Sequence, residues 1–440
     1  MNAALAALLA AAAVAGALPP EHRCPVDDAG APRLREGEAL AWGDLLRLRE
    51  LLPAEVWRHR HAFFDERMQL LVGACHRRYA PAEAHLAATE RFAGRARLDG
   101  DGNLHDHVAG LPFPPDRIDP AAPDAALRWA WNFEHRHRAA GPRGHFRLVD
   151  FPGGVGGIQT YHGTWFQLVA AHRADLAASH HRVAAAADAS WIAGGRFTEP
   201  SSARHLAWRQ ERPGEVARRH ALPDDTFVYV PTLRKVKRAP GPWSDGLFTP
   251  RYRDTDGSGD VAEDARRGFT ALSIRPNAYV WRLLEVRETI APLAVARVGY
   301  PQRPARDFGE SGLSLASDRW DVRQAVVIQG ALREGGRDRD FLTLWIDAQT
   351  QQPLYAIARR RGGQVVEVGI LAHRYSGDVP GYPSLRDGAE ARVFDPVAAV
   401  FVDTAAGGGW RRESYDLDST PPPPHELERM LSSSYLERGR

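Results

Sequence analysis

The chain has 440 residues, 44% of them hydrophobic and 25% charged, the make-up of a globular protein with one large domain or two to three average ones. Its 57 basic and 55 acidic side chains leave a formal charge of +2, which excludes any global attraction to nucleic acid or an anionic membrane.

Ala3 to Ala17 is an unbroken run of Ala, Leu, Val and Gly, too short to span a bilayer. It ends in Ala15-Gly16-Ala17, the small-x-small pattern that a signal peptidase accepts, and Pro19-Pro20 then stop any helix. The expectation is a signal peptide over 1–17, cleavage near Ala17 and a periplasmic mature chain without a transmembrane segment. Glu21-His22-Arg23 precedes Cys24 where lipid attachment needs small apolar residues, so no lipid anchor is expected. Cys24 and Cys75 are the only cysteines, and in an oxidising compartment they either close one disulfide or stay as buried thiols.

Residues 18–37 read as an extended arm. Leu45, Leu46, Leu48 and Leu51 then recur at near-helical spacing, Pro53 opens a second helix carrying Val56, Phe63, Phe64, Leu70 and Leu71, and a third covers 81–93. This arm and helical segment is taken to end at residue 104. Over 105–378 the texture becomes strand-like: 145–149, 157–161, 165–169 after a turn at Gly163, 205–209, 226–230, 233–239, 279–284, 321–328, 341–346, 354–358 and 365–371. The last three are joined by short turns and predict an antiparallel meander. The segment 170–190 reads as one helix, and 379–440 as a Pro- and Gly-rich tail outside the sheet. The predicted fold is therefore mainly β with helices (α+β). It has a large curled antiparallel sheet, or unclosed β-barrel, wrapping helices and preceded by an N-terminal helical segment.

Both lysines of the chain, Lys235 and Lys237, lie in Tyr229-Val-Pro-Thr-Leu-Arg-Lys-Val-Lys-Arg-Ala-Pro240. On a strand they share one face, with Arg234 and Arg238 on the other. Such a stretch either blunts a sheet edge or presents point charges to an anion. Trp281 and Trp345 are the aromatic candidates for an apolar ligand wall, with core packing as the alternative. Trp129, Trp131 and Phe133 are placed on or beside strands. Asp254, Asp256, Ser258 and Asp260 repeat the start of a calcium loop, but Ala265 stands where a bidentate carboxylate is needed; the choices are a calcium-clamped turn or a plain polar turn. Of the His-x-His pairs, His59/His61, His105/His107 and His135/His137, the second offers the best start for a zinc-type hydrolase. The plainer reading is surface histidines.

Six stretches resemble, in order, a family of secreted bacterial proteins of unknown function often labelled outer-membrane lipoprotein-sorting protein. They are Leu111-Pro-Phe-Pro-Pro115, Trp129-Ala-Trp-Asn132, the Tyr229–Pro240 run, Tyr279-Val-Trp-Arg-Leu283, Arg319-Trp-Asp-Val-Arg323 and the meander from Leu344 to Pro353. The resemblance implies an unclosed barrel like that of LolA and LolB, a periplasmic setting beside an exporter, and no established catalytic residues. The function expected is a non-catalytic carrier for a lipid, lipoprotein anchor or other hydrophobic molecule. Tyr229, Arg234, Lys235, Lys237, Arg238, Trp281 and Trp345 are its ligand-binding candidates. The alternatives are a metal-assisted hydrolase using His105 and His107, and an interaction scaffold for a transporter.

Overall fold

The computed structural model describes residues 23–26, 30–151, 153, 157–238, 273–296, 313–333, 340–385, 388–404, 408–432 and 436. The expected signal peptide and calcium-like loop lie outside them.

The N-terminal segment opens with strand β1 (Ala39–Leu40) and a run of 3-10 turns over Trp42–Leu51. Leu45, Leu48 and Leu51 are its buried residues, a spacing of three that suits the three residues per turn of that helix. Pro53 then precedes helix α1 (Ala54–Arg58), and α2 (Arg60–Phe63) follows. Leu70 and Leu71 do not continue the helix as expected; they begin β2 (Leu70–Cys75), which runs parallel to a later strand, β12 (Arg319–Leu332). Helix α3 (Glu83–Arg91) matches the expected third helix. A two-stranded ribbon, β3 (Arg97–Leu98) and β4 (Leu104–His105), leads into α4 (Ala125–Glu134).

Trp129, Trp131 and Phe133, expected on or beside strands, are on α4. The unbroken buried run explains the misreading: Ala125, Ala126 and every residue from Trp129 to Glu134 are buried, with only Leu127 and Arg128 half-buried between them, so a short aromatic-rich stretch reads like a buried strand.

The main sheet has fifteen strands. In chain order the rest are β5 (Arg143–Phe151), β6 (Gln159–Val169), β7 (Ala189–Glu199), β8 (Ala207–Pro213), β9 (Asp225–Val230), β10 (Lys235–Arg238), β11 (Tyr279–Ala291), β13 (Phe341–Asp347), β14 (Pro353–Arg359), β15 (Val365–Tyr375), β16 (Phe394–Asp403) and β17 (Gly409–Asp418). Strand β12 pairs with β11 on one side and with β2 and β13 on the other. From β13 the order runs through β14, β15, β16, β17, β5, β6, β7, β8 and β9 to β10. Every pair is antiparallel except β2 with β12, and no pairing joins β10 to β11 among the described residues, so the sheet is unclosed.

Its curl follows from packing. Residues from β5 to β9 and from β11 to β17 join α4 in one hydrophobic cluster, among them Phe146, Trp165, Trp208, Val228, Trp281, Ile328 and Phe401. Laid flat, those strands would span roughly 50 Å at about 4.8 Å each, far more than one helix of about 10 Å diameter can touch. The opposite face, over β11 to β16, is covered by the N-terminal segment through Leu45, Leu48, Val56, Phe63 and Phe64. Cys24 and Cys75 form a disulfide, tying this segment to β2 at its far end.

Three expectations are corrected. The segment 170–190 is not one helix: it holds 3-10 turns at Ala174–Ser179 and Ala184–Ala186 and then enters β7. Gly163 makes no turn but sits inside β6, where a Cβ would come within 2.5 Å of the Phe146 ring. The C-terminal part is not a tail outside the sheet, because β16 and β17 lie between β15 and β5, near its middle. Helix α5 (Pro424–Leu431) packs outside, its Met430 in one cluster with Phe166, Leu168 and Ile192.

Candidate ligand cavity

The ligand-binding residues expected from sequence are not brought together. Lys235 and Lys237 are exposed on β10, the edge strand, paired to β9 with Lys235 opposite Val230. Arg234 takes a left-handed φ of 50° in the turn before it, and Arg238 pairs with Asp225. Tyr229 is buried against Ala207 and Leu436. Trp281 lies in the cluster around α4, while Trp345 lies under the N-terminal segment and meets Tyr355 edge-on at 5.9 Å. The register explains the separation. Trp281 faces Gly330 and Trp345 faces Val327, three residues apart on β12, an odd number that sends the two indoles to opposite faces.

His105 and His107 are also parted. Asp106 between them has φ 58°, and its carboxylate pairs with Arg97. The His105 Nε2 stands 2.9 Å from an Asp99 oxygen at the surface, whereas the half-buried His107 packs against His135 and His172, so the two share no site.

A cavity of about 1080 Å³ opens beyond the C-terminal end of α4, a place no single stretch of sequence marks. Helix α4 ends at Glu134, and the run His135-Arg136-His137-Arg138 enters the wall. Two of these arginines satisfy the last turn: Arg136 donates to the Phe133 carbonyl at 2.7 Å and Arg138 to that of Glu134 at 2.9 Å. Trp131, Trp191, Val169, Ala171, Val183 and Leu427 supply apolar wall.

One side of the cavity is a buried ionic network. The Asp224 carboxylate accepts from Arg212 at 3.1 Å and from Arg275 at 2.5 Å. Arg212 donates to the Ser273 hydroxyl at 2.9 Å, which donates to Glu134 at 2.8 Å. The Arg212 guanidinium also lies 4.6 Å from the centre of the Trp191 ring.

The other side carries imidazoles from three segments, with His107 of a fourth packed against them. His85 of α3 lies 5.0 Å from His137, ring centre to ring centre. His107 stacks on His172 at 4.5 Å and meets His135 at 4.4 Å. His172 is oriented by a 3.0 Å hydrogen bond between its Nδ1 and the Val108 carbonyl. Burial pushes His85 down to about 3 and holds His137 and His172 near about 4. His107 and His135 are pushed well below the usual range by burial and by neighbouring imidazoles. All five are thus neutral at pH 7, and the Nε2 atoms of His85, His107 and His137 have no hydrogen-bond partner in the protein. His107, His135 and His137 are half-buried and packed against other imidazoles, not on the open surface that the plainer expectation gave them. What hid the cluster is distance: its members are scattered from residue 85 to residue 172 with no period.

The imidazoles do not converge as a metal centre does. Among the described residues, only Cys24, Glu36 and Cys75 bring three ligand atoms together, and there both sulfurs are bonded to each other. What the cavity can do is hold a molecule with an apolar body and a polar or anionic end. No described helix is long and apolar enough to cross a membrane.

A family model described as a protein of unknown function, DUF1329, matches residues 59–403. No curated protein matches the chain. Among solved structures, a Vibrio parahaemolyticus domain named as an outer membrane lipoprotein-sorting protein is 12% identical, with a TM-score of 0.44 over 72% of this chain and 100% of its own. A DUF1329 family protein from Desulfovibrio piger is 10% identical, with a TM-score of 0.42 over 72% of this chain and 97% of its own. A LolA superfamily protein from Nitrosomonas europaea is 12% identical, with a TM-score of 0.35 over 72% and 99%.

Proposed function

The chain belongs to the DUF1329 family of proteins of unknown function, and from that premise we propose that it is a non-catalytic binding or carrier protein for a hydrophobic molecule with a polar head. A lipid or a lipoprotein anchor is the chemistry that fits. The observation that carries this reading is the cavity of about 1080 Å³ at the end of α4, walled by indole and aliphatic groups and edged by arginines and histidines. A volume at the upper end of ordinary ligand pockets suits an acyl chain, and its charged rim suits the head.

The setting proposed is the periplasm. The Ala-rich run ending at Ala17 and the Cys24–Cys75 bridge both support export to an oxidising compartment. The partner proposed is an inner-membrane exporter, on the strength of the family resemblance in sequence. Protein purified from its periplasmic source is to be extracted and the extract examined for lipid, and the stripped protein titrated with a fluorescent fatty acid. Co-purified lipid or saturable displacement at micromolar protein is expected. Neither being seen would end the carrier reading.

A further inference from the structure

The imidazole cluster raises a question that the carrier reading leaves open. Buried polar atoms are almost always hydrogen-bonded, so three orphan Nε2 atoms in one cluster point to an absent partner. Two of them, on His85 and His137, belong to adjacent rings in the cavity wall. A metal cation suits this place poorly, because Arg138 acts on His135 and Arg182 on His172, and no three nitrogens converge. An anion suits it well. An imidazole whose Nε2 carries hydrogen donates to oxygen, and a negative charge beside it offsets the burial that keeps the ring neutral.

We propose that His85 and His137 form a seat for an anionic oxygen group, a carboxylate or a phosphate, and that filling the seat draws a proton onto the cluster. The inference rests on the carrier reading only for where the rest of the ligand sits. The charged and titratable groups facing the cluster are few. From α4 and its extension come His135 and Arg138; from the segment after β6 come His172, Asp175, His181 and Arg182; His107 comes from the loop before α4. Asp175 favours the protonated form of His137, but its carboxylate is engaged by Arg173 at 3.0 Å. By linkage, a ligand that prefers the protonated cluster binds more tightly as pH falls, and its binding takes up protons.

The test titrates the stripped full chain with decanoate, decanol and inorganic phosphate at about pH 5 and about pH 7, in two buffers of different ionisation heat so that protons taken up can be counted. Decanoate is expected to bind with proton uptake and to lose roughly tenfold in affinity per pH unit for each proton involved, while decanol is indifferent to pH. The double variant His85→Gln/His137→Gln keeps hydrogen-bond donors; an unchanged circular dichroism spectrum shows it is folded, and it should bind decanoate without the proton. Phosphate binding with proton uptake would make a free anion a source of the group; uptake with decanoate alone makes it an amphiphile's head. Decanoate bound without proton uptake, or with uptake unchanged in the double variant, overturns the seat while leaving the carrier reading intact. If neither decanoate nor decanol binds but phosphate does so with proton uptake, the carrier reading falls and the seat stands. If none of the three binds, both fall.

Discussion

Asp224 holds two guanidiniums that are almost wholly out of water, those of Arg212 and Arg275. Such a group stabilises less by its own attraction than by preventing two bare buried cations. Asp224→Ala should therefore cost about 3–5 kcal/mol, read as a lower midpoint in urea unfolding. The histidines give a pH signature of definite sign. His85 is held near about 3 when folded against an ordinary value of 6.5, so the unfolded chain binds more protons between those values. The stability it contributes is complete above pH 6.5 and is lost as pH falls toward about 3. His137 and His172 act alike over a window ending near about 4. Unfolding midpoints measured from neutral to acid pH should fall through this range, and His85→Gln should make the fall shallower. Glu413, pushed up by burial, carries the opposite sign, so the comparison with the variant isolates the imidazole part.

Among the elements, the strands with clean alternation were legible, and so was the hairpin of β9 with the basic strand β10. Two kinds of element were not. Helix α4 is buried without a break from Trp129 to Glu134, a short aromatic-rich run that reads like a buried strand. Strand β7, absent from the strands expected, contains Gly194-Gly195, where a Cβ on Gly195 would come within 2.4 Å of the Trp208 ring. Glycine there makes room for an indole laid across the strand, and the partner lies thirteen positions further along the chain. The cavity stayed hidden for the same reason, since its wall joins α3, the end of α4, the segment after β6 and residues 274–277. The basic strand, by contrast, is an edge strand with exposed lysines and sits apart from the cavity lining. Lys235→Gln with Lys237→Gln should change stability by less than about 0.5 kcal/mol and leave decanoate affinity untouched, while turbidity on concentration rises. At the other end of the chain, the disulfide closes a loop of 51 residues. Reducing it should lower unfolding stability by up to roughly 4 kcal/mol in the chain-entropy view. Alkylation of the unfolded, unreduced protein should find no free thiol.

For the whole molecule, the sheet is assembled out of chain order. Strands β5 to β10 form one array and β11 to β15 another, and the two are joined through β16 and β17, which the chain supplies near its end. A chain stopped at residue 390 should therefore be digested rapidly by a protease that spares the full protein, even though it carries all of α4 and most of the strands. The interval between first and last pieces has a meaning in time. Until β17 meets β5, each array presents an unpaired edge and the helix has no complete enclosure, so the nascent protein has nothing finished to fold into. The β16–β17 hairpin acts as a clock, withholding the native state until the strands of both arrays have been made.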